Sequence, residues 1–107
     1  MAWNDIDEKD WKLFRKELPK WQERYMGRLV AEYADMLSGS KNASEKFWDL
    51  DERIKRDRRR VGVVAEMSRS KMEYNLMSLL ADGAIGFKDL EGFSEDLRNR
   101  LHYFMGE

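Results

Sequence analysis

From Pro19 to Leu37, the apolar residues Trp21, Tyr25, Met26, Leu29, Val30, Tyr33, Met36 and Leu37 fall within a half-turn arc when successive residues are turned by ~100°. A stripe that wide predicts a helix packed on more than one neighbour. Upstream, Trp11, Phe14 and Leu18 repeat at helical spacing. Asp7 stands where a cap belongs, with Ile6 before it and Trp11 after it placed to meet as a hydrophobic staple. Pro19 either opens the next helix, where its missing N–H costs nothing, or kinks a continuous one. Gly27 lies opposite the stripe at a cost of ~1 kcal/mol relative to alanine, for no purpose the pattern shows.

Ser38–Ser44, "SGSKNAS", has the composition of a loop that ends one helix and caps the next. A third helix is expected from about Ser44 to Arg60, capped by Asn42 or Ser44, with Phe47, Leu50, Ile54 and Val61 in an arc of ~60° as its inward seam. Three acids precede three bases by four residues: Asp49 with Arg53, Asp51 with Lys55, Glu52 with Arg56, each pair worth ~0.2 to 0.5 kcal/mol. The β-branched "VGVVAEM" segment fits a bend, an extended link or further helix.

A fourth helix spans roughly Ser70 to Asp82. Ser70 and Glu73 have capping-box spacing, Gly83 is its stop, and Met72, Leu76, Leu79 and Leu80 form its core side. Leu90, Phe93, Leu97, Leu101 and Phe104 again follow helical spacing, and Ser94 caps a fresh helix after a short turn. No segment alternates with period two. The expectation is an all-α fold, a compact bundle of four or five helices forming a single domain over residues 1–107.

Composition sharpens this. One Pro and seven Gly favour helix, and 38% charged residues, against a usual ~25%, need a large solvated area. Four Trp, five Phe and four Tyr supply the core. Twenty Lys and Arg against 21 Asp and Glu leave a net charge of −1, so no whole-domain basic field draws in nucleic acid or anionic lipid. The absence of Cys removes disulfides, thiolate nucleophiles and thiolate metal sites, and agrees with a reducing cytosol. The acidic start "MAWNDIDEKDW" has no apolar region of a signal peptide, and no apolar run approaches the ~18 residues of a membrane span. A cytoplasmic protein without a membrane partner is expected.

The stretch "RIKRDRRRVGVV" carries the one concentration of charge. Arg53, Lys55, Arg56, Arg58, Arg59 and Arg60 lie on the side of the third helix away from its apolar seam, which is what a solvated helix shows without any ligand. Arg58, Arg59 and Arg60 have only Asp57 to offset them. Such a cluster suits a carboxylate-rich protein surface or a phosphate, although nucleic-acid binders marshal ~6 to 10 phosphate contacts and three Arg fall short unless a second subunit joins.

Other chemistry is sparse. His102 is the only histidine and has no Cys or second His to share a metal with. Ser68 and Ser70 lack a nucleophile's partners, "DIDEKD" lacks the spacing of a calcium loop, and Gly83 and Gly86 stand outside any phosphate loop. A helix-turn-helix reading of the C-terminal third places Glu95 and Asp96 where a recognition helix meets DNA. No catalytic residue, cofactor or metal is therefore expected, and the chain does not read as an enzyme. Trp3, Trp48, Met67 and Met77 fall off the core arcs, as second-layer core or as an interface. The candidate partner-binding residues are Trp48, Arg56, Arg58, Arg59 and Arg60. The expected partner is a protein; nucleic acid is the alternative for Arg53–Arg60, and a homodimer is a further option.

At "EMSRSKMEYNLMSLLADGAI" and "KDLEGFSEDLRNRL", Glu66–Leu101, the chain resembles a family of short helical proteins of unknown function from Gram-positive gut bacteria and their mobile elements. The likeness covers the C-terminal half and the "FWDLDERI" segment. It implies an accessory gene product acting as a stoichiometric binder or regulator, such as an inhibitor, adaptor or immunity factor, and assigns no functional residue.

Overall fold

Asp7 adopts an extended backbone, and its carboxylate accepts the backbone N–H groups of Lys9 (2.7 Å) and Asp10 (3.3 Å). This cap starts α1 (Glu8–Leu37) in a computed structural model of the chain, which describes residues 6–106. Trp3 lies outside the described residues. α1 runs unbroken for 30 residues, about 45 Å. Pro19 sits inside it and neither opens nor ends a helix. The residue faces solvent, as does Arg15, whose carbonyl loses its amide donor to the proline ring.

Four shorter helices follow: α2 (Ala43–Asp57), α3 (Val61–Val64), α4 (Met72–Ala81) and α5 (Glu95–Phe104), with a 3₁₀ turn at Phe87–Leu90 between the last two. No strand occurs among the described residues, so the all-α expectation holds. Ser94 caps α5 by accepting the Leu97 N–H at 3.3 Å, and Gly83 ends α4 at φ +75°, a backbone that disfavours a side chain. The expected Ser70 cap does not form. α4 begins at Met72 without a side-chain cap, the Ser70 hydroxyl lies 3.5 Å from that of Ser68, and Glu73 reaches across to Arg100 on α5 at 3.0 Å.

The core gathers at one end of the molecule. Phe14, Leu18, Trp21, Tyr25 and Leu29 of α1 meet Met72, Leu76 and Leu79 of α4, Ala84, Ile85, Leu90 and Phe93 of the connection, and Leu97 and Leu101 of α5. Aromatic rings chain through it, Phe14 to Trp21 at 6.4 Å and Trp21 to Phe93 at 6.2 Å. Buried Asp10 on the first turn of α1 accepts the Ser94 N–H (2.8 Å) and hydroxyl (2.6 Å), fastening the starts of the first and last helices together. Arg24 grips Asp89 through two 2.9 Å hydrogen bonds, and Arg28 donates to the Gly83 carbonyl at 3.1 Å.

The "VGVVAEM" segment resolves into one turn of helix and an extended strap. Gly62 packs on the Tyr25 ring so closely that a Cβ would lie 2.6 Å from it. Gln22 then donates to the Ala65 carbonyl (2.9 Å) and Asn75 to that of Glu66 (3.1 Å), holding the strap against α1 and α4.

The shape is somewhat more extended than the expected compact bundle. The radius of gyration is 16.9 Å and the extents are 58 × 25 × 19 Å, against a radius of ~13 Å for a globular chain of this length. Beyond Leu29, the last of its buried residues, α1 runs on past the core with α2 folded back along it.

A candidate interaction surface on the projecting hairpin

α2 begins where Asn42 accepts the Glu45 N–H at 2.9 Å; Ser44 instead donates its hydroxyl to Asn42 at 3.0 Å. The helix meets α1 through a polar joint. Asp57, its one buried side chain, accepts the Tyr33 hydroxyl at 2.7 Å and the Arg53 Nε–H at 2.8 Å on the same oxygen. The Arg53 guanidinium lies 5.6 Å over the Tyr33 ring and also pairs with Glu32. The other Asp57 oxygen accepts no hydrogen bond, with Arg60 3.8 Å away. Burial alone would raise the Asp57 carboxyl, but the Tyr33 hydroxyl and Arg53 hold it below its ordinary value. Burial, then the hydrogen bond to Asp57, pushes the Tyr33 phenol up to about 12.

This joint turns the expected apolar seam outward. Phe47 is 63% exposed, Ile54 37% exposed and Leu50 half-buried, because Glu32 and Tyr33 of α1 draw in the Arg53 and Asp57 side of α2 instead. Only Val61, beyond the helix, packs against the core. Of the three ion pairs expected along α2, Asp51 with Lys55 forms, at 3.0 Å. Asp49 pairs with Lys41 at 2.7 Å instead, Arg53 turns to Glu32 and Asp57, and Arg56 makes no ion pair among the described residues.

The basic run divides in three directions. Arg60 points inward, donating to Asp82 at 3.1 and 3.3 Å and lying 5.5 Å over the Tyr25 ring, so it ties α2 to the core. Arg58 lines an apolar slot of about 120 Å³ with Met26, Val30 and Ile54. Arg56 and Arg59 border a broad open hollow of about 870 Å³, which Arg53 and Lys41 share with the acids Asp49 and Glu52. Trp48 is 63% exposed, and its ring meets Phe47 edge to face at 4.9 Å. The structure thus brings Arg56 and Arg59 to one hollow, leaves Trp48 exposed elsewhere on α2, and turns Arg58 and Arg60 away from both.

Met26, Val30 and Leu37 on α1 are 42%, 60% and 44% exposed, which the pattern did not foretell. The width of the α1 stripe was the available signal: it asked for more cover than α2 and the short α3 supply along this stretch. Elsewhere, His102 stacks on Phe87 at 3.8 Å, near-parallel, on the edge of the core. No group of three potential metal ligands and no helix long and apolar enough to cross a membrane occurs among the described residues. No protein-family model, curated protein or solved structure matches the chain. The likeness drawn from Glu66–Leu101 rests on the sequence pattern alone.

Proposed function

We propose that the protein is a small non-enzymatic interaction module, acting by stoichiometric binding to a larger protein in the manner of an inhibitor, adaptor or immunity factor. The observation that carries this is Trp48, an indole held mostly in water on a helix that buries only a carboxylate. Further along the chain, Arg56 and Arg59 border an open hollow and make no ion pair among the described residues, so their donors are available to a carboxylate-bearing partner. Trp and Arg are enriched among the few residues that anchor protein interfaces, whose truncation costs ~2 kcal/mol or more. A cytoplasmic setting fits the cysteine-free sequence.

Nucleic acid is the weaker reading. Arg53 and Arg60 are engaged inside the molecule, Lys55 is paired with Asp51, and Asp49 and Glu52 sit in the hollow that Arg56 and Arg59 border. What is left falls well short of ~6 phosphate contacts. Affinity capture with nuclease-treated lysate tests the choice. The wild type retains a stoichiometric protein partner that Trp48→Ala, Arg56→Ala and Arg59→Ala together release without loss of helicity. Capture unaffected by the triple change rejects the surface, and capture abolished by nuclease rejects the protein partner.

A further inference from the structure

We infer that the hollow between the strap and α4 seats a single acidic side chain, together with its backbone N–H, from a segment of the protein partner. The inference rests on the reading of the chain as an interaction module and adds the chemistry that one part of its surface recognises. The hollow holds about 290 Å³, near the lower end of ligand sites. One wall is α4, where Lys71, Tyr74, Asn75 and Ser78 stand three, four and seven residues along and so share a face. The strap forms the other wall. Arg59, just past α2, lines both this hollow and the larger one that Arg56 borders.

Three observations define the occupant. Arg59 and Lys71 are exposed at the same hollow and make no ion pair among the described residues, so two cations there have no anion. Asn75 is only 7% exposed. Its Nδ2 donates to the Glu66 carbonyl at 3.1 Å, while its Oδ1 accepts no hydrogen bond among the described residues, so a nearly buried acceptor in the wall lacks a donor. An acidic residue within a peptide carries both missing groups, the carboxylate for the cations and the backbone N–H for Asn75. Val61, Val64 and Ala65 add an apolar flank, which a bare inorganic anion leaves wet. The third observation limits the charge. The exposed Glu66 carboxylate also lines the hollow and pairs with neither cation, leaving a surplus of one positive charge. One carboxylate neutralises it, whereas a run of acids or a chain of phosphates sets further negative charge against Glu66.

NMR titration of the pure protein with the blocked dipeptide N-acetyl-leucyl-glutamic acid α-amide tests the site. The dipeptide shifts the amide signals of Ala65, Lys71, Tyr74 and Asn75 saturably at millimolar concentration, and binds more tightly than acetate, its neutral glutamine analogue or the phosphodiester thymidylyl-thymidine. Arg59→Ala and Lys71→Ala each weaken it by about two- to fivefold, and Glu66→Gln strengthens it by a similar factor. All three residues are exposed, and unchanged helical circular dichroism confirms the fold of each variant. Absent shifts at these amides, equal binding of acetate or the glutamine analogue, tighter binding of the dinucleotide, or affinity indifferent to Lys71→Ala and Glu66→Gln overturns the inference. The titration uses no partner, so its failure removes this site alone, whereas capture that survives the triple change removes the surface of Trp48, Arg56 and Arg59.

Discussion

α4 and α2 lie on opposite sides of one question. α4 is bordered by α3 on one side and α5 on another, and buries Met72, Asn75, Leu76 and Leu79. α2 has the cleaner division into apolar and charged faces, yet buries Asp57 alone. A segregated helix announces a side that water leaves at a cost; whether the same chain covers it depends on how many neighbours the fold supplies. The core end has several elements around α1, and the hairpin end has α2 and the short α3.

Mutations should separate the two ends by size of effect. Phe14→Ala, at a fully buried position, is expected to cost about 3 to 5 kcal/mol in denaturant unfolding, while Phe47→Ala stays within about 0.5. Equal losses would erase the distinction. Asp57→Ala sharpens it: the hairpin joint is polar, so removing its buried carboxylate leaves the Tyr33 hydroxyl without its acceptor and Arg53 with Glu32 alone, and should cost about 3 kcal/mol, although α2 buries no apolar side chain. Gly62→Ala should cost about 1 to 3 kcal/mol through its clash with Tyr25. Gly27→Ala, where the added methyl meets nothing within 4 Å, should instead stabilise by up to about 1 kcal/mol.

The smallest effect expected is on pH. Asp57 is held low by Tyr33 and Arg53 against its burial, and Asp89 by its hydrogen bond from Arg24, despite its own burial. Both contribute stability that is complete above the ordinary carboxylate range near 4 and is lost as pH falls through their lower folded values. Tyr33, raised from 10 to about 12, contributes stability that is complete below pH 10 and disappears as pH climbs toward 12. The urea midpoint should therefore fall at both extremes, and Tyr33→Phe should flatten the alkaline decline.

Much of the core end was legible in the amino-acid pattern. Asp7, Ser94 and Gly83 act where their residue types and spacing place them, and Phe14, Leu18, Met72, Leu76, Leu90 and Leu97 are buried as their periods require. Local rules failed where a distant residue outbid a near one. Glu73 answers Arg100 rather than Ser70, Arg53 answers Glu32 and Asp57 rather than Asp49, and Arg60 crosses to Asp82. The turn of α2 about its own axis followed from Glu32 and Tyr33 on another helix, which no wheel drawn on residues 43–57 contains. Among the candidate site residues, Trp48 was visible as an aromatic off the seam, whereas the division of the arginines required three dimensions.

The hydrogen bonds from Ser94 to Asp10 join residues 84 positions apart. The oily flank of α1 is therefore closed only by residues that lie far along the chain from it, while the α1–α2 hairpin needs only its immediate sequence neighbours to form. A nascent chain stalled before Leu97 would hold Phe14, Leu18 and Trp21 open to any chaperone or neighbouring polypeptide. Closure of this core thus depends on the cap of α5 coming back to the first turn of α1.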